Sequence, residues 1–267
     1  MADDNPYRSP QADDAALTAP MAPRELKLGQ LLNDGAALYG KHFVMIALIV
    51  VVCTLPVELG KGLVRSVLDI KKENNFNAID LFVSGVVSAF VAPATIYAVV
   101  QADRTGQPVQ LGAALKYGLR RWGESFGARF NSGIRIILGC LLLVVPGMIA
   151  AARYYLVDEV VALEPAAGKL AIDRSRELTE GHKMTLFLAG IATMLLVIVA
   201  SAILGAVQGV VLGENPHFAV AAVIATFGAV IAGLNATIGI VAYVSLRFEP
   251  GDTAWADSAR WTQEAEL

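Results

Sequence analysis

The chain has 267 residues, of which 55% are hydrophobic and 17% are charged. Soluble domains usually contain about 45–50% apolar and about 25% charged residues. Here the apolar residues are concentrated in long runs with almost no charge, which is the composition that a lipid bilayer selects. The formal net charge of -3 gives no basic field of the kind that nucleic-acid-binding proteins carry, so we expect no nucleic acid among the partners.

Residue types that carry common chemistries are sparse in the chain. The two cysteines, Cys53 and Cys140, lie inside apolar runs, where a free thiol behaves as a small packing group. The three histidines are far apart in the sequence, and a metal site needs more ligands than they offer. P-loop, dinucleotide-binding and zinc-protease patterns do not occur. We therefore expect no catalytic residue, no metal, no cofactor and no enzymatic activity.

Polar tails flank a membrane domain that we place at residues 25–247. Residues 1–24 are acidic and rich in proline, a composition that predicts disorder, and residues 248–267 form a polar tail. Six apolar runs inside the domain approach the roughly 20 residues that a helix needs to cross a bilayer. The predicted fold is therefore an all-α integral membrane protein with a six-helix transmembrane bundle. The predicted spans are residues 43–64, 81–102, 130–145, 148–164, 184–211 and 218–246.

An amphipathic segment precedes each pair of predicted spans. Apolar residues recur in it at three- and four-residue steps, the pattern of a helix with one apolar face. Because each segment runs into an apolar span, we predict interfacial helices at the membrane surface. Residues 28–43 and 111–126 agree at six of sixteen aligned positions, including Gly35 with Gly118, which suggests a repeated structural unit. The predicted interfacial helices are residues 25–42, 110–126 and 166–182.

The Pro146-Gly147 dipeptide decides how often the chain crosses the membrane. As a turn, it gives six spans and places sixteen lysines and arginines on the side of the N-terminus, against four on the other side. As a kink within one span, it gives five spans and a nearly even division. The positive-inside rule favours the turn, with both termini in the cytoplasm. Each arm of this hairpin is only about 24 Å long, so residues 130–164 either cross fully within the bundle or re-enter.

Ionisable residues within predicted spans are functional candidates, because a charge in lipid is costly. Arg153, Asp158, Glu159 and Glu164 in the fourth predicted span form the candidate intramembrane polar site. On one helix Arg153 and Glu164 would share a face, whereas Asp158 is a poor partner for Arg153. The residues fit a proton or cation relay, or an anion site at the arginine. The simpler interpretation is an ion pair with a neighbouring helix.

Basic residues in the second and third amphipathic segments are candidate contacts for anionic lipid headgroups. Each such charge contributes roughly 1 kcal/mol near the membrane surface. The same charges would also anchor the topology without binding any particular lipid. The partners that we consider are the bilayer with its anionic lipids, another membrane protein, and a second copy of the chain. The candidate lipid contacts are Lys116, Arg120, Arg121, Arg174 and Arg176.

Residues 142–183 resemble a widespread group of bacterial membrane proteins. The matching features are Pro146-Gly147, Arg153, the VVALE sequence ending at Glu164, and the run from Arg174 to Gly181. The group comprises the membrane domain of glycerophosphodiester phosphodiesterases and its uncharacterised relatives. The resemblance implies a six-helix protein of the bacterial cytoplasmic (inner) membrane. It implies no activity, because the phosphodiesterase chemistry of the fused relatives belongs to a separate soluble domain.

Two functional hypotheses follow from these patterns. The first is a non-enzymatic scaffold or accessory protein that engages lipids or a partner at the cytoplasmic face of the membrane. The alternative is a small transporter or channel that uses the charges buried in the fourth helix. A polar path that reaches those charges would favour the alternative.

Overall fold

A computed structural model of the chain describes residues 25–67, 78–164, 169–212 and 218–248. Every regular element in these ranges is an α-helix. The predicted N-terminal tail, and the predicted C-terminal tail apart from Phe248, lie outside the described residues. The helices are α1 (Leu28–Val67), α2 (Ala78–Thr105), α3 (Leu111–Leu142), α4 (Val144–Arg153), α5 (Val157–Leu163), α6 (Lys169–Leu178), α7 (Lys183–Leu212) and α8 (Phe218–Arg247).

Four of these helices, α1, α2, α7 and α8, are long and apolar enough to cross a membrane. They contain the predicted spans 43–64, 81–102, 184–211 and 218–246. Exposed large apolar side chains are numerous on α1 and α7, and the exposed fraction reaches 87% at Val210 on α7. Such surfaces are unfavourable in water and suit contact with lipid. The prediction of an all-α fold is confirmed in the described residues, and the four apolar helices are compatible with a multi-pass membrane protein.

The first two predicted interfacial helices are continuous with the spans that follow them. α1 and α3 pass through Phe43 and Phe126 without a break. Extending a helix is favourable whereas starting a new one is costly, and no proline interrupts either junction. The third segment forms the separate helix α6. It is separate because Gly181, in the turn before α7, adopts a left-handed conformation (φ 85°) that ends the helix.

The chain reverses direction between α3 and α4. The reversal lies at Leu143, whose backbone is extended (φ -163°, ψ 146°), and thus three residues before the predicted turn at Pro146-Gly147. Pro146 instead occupies the first turn of α4, where a helix needs no N–H from it. Gly147 faces Cys140 so closely that a Cβ at this position would overlap the cysteine side chain. A glycine is therefore needed where the two arms of the hairpin meet.

The prediction of one helix over residues 148–164 is wrong, because α4 ends at Arg153 and α5 begins only at Val157. In an unbroken helix the carbonyl oxygen of Arg153 would accept a hydrogen bond from the N–H of Val157. It accepts one from the Ser175 hydroxyl instead, at 2.9 Å. A side chain of α6 thus satisfies the carbonyl at which the second arm bends.

One packing arrangement recurs three times around the bundle. α1 packs against α8, α3 against α2, and α6 against α5. A buried small residue lies on the first helix of each pair, namely Gly35, Gly118 and Ser175. A Cβ on Gly35 would lie 3.0 Å from the Cα of Ile238, and one on Gly118 would lie 2.9 Å from the carbonyl oxygen of Phe90. Gly35 and Gly118, one of the three glycine pairs that the sequence repeat shares, are therefore points of close helix approach.

Candidate functional site

A cavity of about 410 Å³ lies among the helices, enclosed by α1, α2, α5 and α8 with one side chain from α3. Its volume is within the range of about 300–1,000 Å³ that small-molecule sites occupy. The cavity exists because the facing positions of α8 are mostly alanine and glycine, which leave the space between the helices unfilled. Its polar lining residues are Thr54, Glu58, Ser84, Ser88, Thr95, Arg129, Asp158, Glu159 and Asn235.

An ion pair between α3 and α5 forms part of the cavity wall. The Arg129 guanidinium donates from Nε to Asp158 Oδ1 at 2.6 Å and from Nη2 to Oδ2 at 2.7 Å. Its Nη1 donates to the Ser88 hydroxyl on α2 at 2.6 Å. A two-point pair of this kind fixes the orientation of both side chains. Asp158 thus forms the ion pair with a neighbouring helix that was the simpler interpretation.

Glu159, the next residue, is held differently. It is 3% exposed, and its carboxyl group lies against Gly239 of α8, where a Cβ would overlap it. The glycine on α8 therefore makes the room that this carboxyl occupies. In the described part of the chain, Glu159 Oε2 has no hydrogen-bond partner, and the Thr95 hydroxyl on the same cavity wall has none either. Two buried polar atoms consequently remain available beside the cavity.

A hydrogen-bonded group links the edge of the cavity to α7. The Asn235 side-chain oxygen accepts from the Tyr155 hydroxyl at 3.2 Å and from the Thr193 hydroxyl at 3.1 Å. The three residues come from α8, from the turn between α4 and α5, and from α7. Asn235 therefore links three separate segments and holds the bend in the hairpin against the bundle.

Glu164, at the end of α5, lies outside the cavity and belongs to a second polar cluster. Its carboxylate accepts hydrogen bonds from the Tyr243 hydroxyl at 2.8 Å and from Arg247. Arg174 on α6 approaches the carboxylate to 3.4 Å, and Arg121 on α3 donates to the Glu164 carbonyl oxygen at 3.3 Å. We name these five residues the Glu164 cluster. The shared helix face of Arg153 and Glu164 is absent, because the bend in the hairpin separates them.

Arg153 lies at the end of α4 and outside the lining of the cavity. Its Nε is buried without a hydrogen-bond partner among the described residues. Its carbonyl oxygen accepts from Ser175 and, at 3.4 Å, from the Thr179 hydroxyl. Of the four predicted intramembrane residues, the structure brings only Asp158 and Glu159 together at the cavity.

The candidate lipid contacts divide into two groups. Lys116, Arg120 and Arg176 are exposed. Arg121 and Arg174 are engaged within the protein, since Arg121 also pairs with Glu124 and Arg174 with Glu177. Partial burial lowers the pKa of Arg174, but its hydrogen bond to Glu177 and the nearby carboxylate of Glu164 have the larger effect, so that the pKa is raised overall. These two arginines hold α3 and α6 against the rest of the bundle.

The topology predicted from the sequence includes Arg129 among the sixteen basic residues of the cytoplasmic side. It does not predict that Arg129 lies at the candidate site. The signal that could have found it is its place on α3. Its neighbour Ala128 is buried, as are Ser125 and Ser132, which lie four residues before and three residues after Arg129. An arginine beside the small, buried face of a helix is expected to point into the bundle.

The described residues contain no group of three or more histidine, cysteine, aspartate or glutamate side chains that could hold a metal ion. Comparison of the chain with family models, curated proteins and solved structures finds no match. The geometry of the cavity is therefore the main guide to what the protein does.

Proposed function

We propose that this chain is a transporter or channel for small solutes, and that the cavity between α1, α2, α5 and α8 is its solute site. The observation that carries the proposal is the convergence of Arg129, Asp158 and Glu159 on one cavity among membrane-crossing helices. Charges inside a membrane protein typically mark solute or ion pathways. A protein that served only as an anchor would gain nothing from a buried carboxyl beside a polar cavity.

The proposed topology has six crossings with both termini in the cytoplasm of a bacterial inner membrane. α3 is unbroken over Leu111–Leu142 and is about 48 Å long, more than the roughly 30 Å core of a bilayer. Leu141, Leu142 and Leu143 at the hairpin tip are between 69% and 79% exposed, as lipid-facing residues would be. Arg129 and Arg135 would lie in the part of α3 that crosses the membrane and leave the cytoplasmic count. The cytoplasmic side then has fourteen lysines and arginines, and the outer side has four.

In this topology the cavity faces the outer side of the membrane. Its lining reaches Glu58 on α1 and Ser84 on α2, both in the outer parts of these helices. Towards the cytoplasm the bundle is closed, because residues 96–100 of α2 and 237–244 of α8 are all buried. The Glu164 cluster lies at this closed end, where its ion pairs join α6 and α8 and a hydrogen bond from Arg121 adds α3. A transport cycle would require these contacts to open.

Cysteine labelling tests whether the cavity is open to water from outside. In a C53A/C140A background, S84C should react in intact cells with a membrane-impermeant maleimide. S201C, on the exposed surface of α7, is the matched control and should stay unreactive, because lipid suppresses thiolate formation. If S84C is also unreactive in opened membranes, where both faces are accessible, the cavity admits no water and the proposed function is wrong.

The exposed basic surface favours a second candidate function, the lipid-engaging scaffold. Lys116 and Arg120 on α3 and Arg176 on α6 are exposed, and so is the side chain of Leu119 beside Arg120, a combination that suits a headgroup region. The K116Q/R120Q/R176Q variant should retain less anionic lipid on purification than wild type, with zwitterionic lipid unchanged. Equal retention would leave these charges with a topological role alone.

A further inference from the structure

The cavity contains one acidic group for which the protein supplies no separate cation. Asp158 is neutralised by Arg129, and Glu58 pairs with Lys61 at 2.5 Å. The carboxyl of Glu159 forms no salt bridge in the described residues. Arg129 also attracts it, but this single guanidinium serves two carboxyl groups, and Glu159 Oε2 has no hydrogen-bond partner. A buried carboxylate is strongly unfavourable unless a positive charge or a proton accompanies it. We infer that the transported solute is an organic monocation, an ammonium compound, that binds with its charged nitrogen at Glu159.

This inference rests on the proposed transport function and specifies its substrate class. The remaining polar groups agree with an ammonium headgroup, which donates hydrogen bonds and accepts none. Glu159 Oε2 offers an acceptor and the Thr95 hydroxyl offers another, and both are buried without a partner. An anionic solute would lack a free cation here, because the Arg129 guanidinium is already shared between Asp158 and Ser88.

The rest of the cavity fits an apolar body attached to that nitrogen. Val50 of α1, Val91 of α2 and Ala229 and Ala232 of α8 line it with short hydrocarbon side chains. The volume of about 410 Å³ exceeds what a bare inorganic cation requires, and the described residues contain no group of three His, Cys, Asp or Glu side chains that could hold a metal ion. The site therefore combines one acidic anchor with an apolar compartment.

A proton and an ammonium group are alternative partners for the same carboxylate, so acidification should weaken amine binding. The titratable or charged groups that face Glu159 are Asp158 on its own helix, Arg129 from α3, Tyr155 from the preceding turn, and Glu58 across the cavity. α2 and α8 contribute no charged side chain to the described lining. The pH dependence of amine binding should consequently disappear in E159Q while the Arg129–Asp158 pair remains.

Three four-carbon probes of different charge test the inference on the full-length protein in lipid nanodiscs. They are n-butylammonium, n-butanol and n-butyrate, and binding is followed as a concentration-dependent rise in the thermal unfolding temperature. Wild type should bind butylammonium alone. E159Q should bind it about tenfold more weakly or worse, as expected for the loss of one desolvated charge contact. The E180Q variant, changed at an exposed turn residue, should bind as wild type does.

A second variant tests the site without altering any charge. G239A should displace the Glu159 carboxyl, since a Cβ there overlaps it, and should weaken butylammonium binding. G205A is the matched control, because nothing lies within 4 Å of a Cβ at that lipid-facing glycine. Weakened butylammonium binding in both E159Q and G239A would locate the ammonium nitrogen at this carboxyl. If one of the two variants folds poorly, the other still tests the site.

The possible failures separate the inference from the proposed function. If butanol binds as tightly as butylammonium, or if E159Q keeps full affinity, the cationic specificity is wrong and the cavity remains a solute site. If no probe binds but S84C is labelled from outside, the ammonium inference is overturned alone. If no probe binds and S84C is unreactive in opened membranes, both the inference and the transport proposal are overturned.

Discussion

The two carboxyl groups at Glu159 and Glu164 lie five residues apart, at the two ends of α5, and are satisfied in opposite ways. Glu164 is surrounded by Tyr243, Arg247 and Arg174 at the closed end of the bundle. Glu159 faces a cavity, and its Oε2 has no partner among the described residues. A carboxylate whose hydrogen bonds are all made within the protein stabilises the fold. One that keeps an acceptor unused beside a cavity retains the capacity to bind something else.

The largest expected effect tests the structural side of this comparison. E164Q removes the negative charge that holds Arg174 in α6 and Arg247 at the end of α8, and should lower the free energy of unfolding by about 3 kcal/mol. The measurement is reversible denaturation in mixed micelles. E177Q removes the exposed partner of Arg174 and should change stability by less than about 0.5 kcal/mol. Equal effects of the two variants would contradict a special role for Glu164.

The Arg129–Asp158 pair should give an intermediate effect. D158N leaves the guanidinium beside the cavity without its counter-charge, and we expect a loss of about 2 kcal/mol. R129Q leaves the Asp158 carboxylate without its counter-charge, and we expect a similar loss of about 2 kcal/mol. The double variant R129Q/D158N should lose less than the sum, because neither charge then stays buried alone. Additive losses in this double-mutant cycle would mean that the two side chains stabilise the protein independently.

The smallest expected effect on stability belongs to E159Q. Glutamine keeps the shape of the side chain and removes a carboxyl that makes no ion pair, so the free energy of unfolding should stay within about 0.5 kcal/mol of wild type. Solute binding should nevertheless be lost, as the butylammonium titration would show. A loss of stability comparable to that of E164Q would erase the distinction between the two carboxyl groups. Glu159 would then be a structural residue.

Part of the site could be foreseen from the sequence. Asp158 and Glu159 were identified because charges within an apolar run are rare and need an explanation. Arg129 could not be chosen as the partner of Asp158, because the two are separated by a hairpin whose register depends on where the chain turns. A turn at Leu143 rather than at Pro146 changes which residues of the two arms face each other. The prediction that Arg153 and Glu164 share a helix face fails because it requires one straight helix over residues 148–164, and the chain bends after Arg153.

The sequence by itself determined the helical class and the four helices that are long and apolar enough to cross a membrane. These follow from local composition and periodicity, because a span of apolar residues satisfies its own backbone and needs only lipid around it. The tertiary structure alone decided the bend after Arg153, the Arg129–Asp158 pair and the cavity beside Glu159. Each of these depends on a contact between distant segments: Ser175 with the Arg153 carbonyl, α3 with α5, and Gly239 with the Glu159 carboxyl.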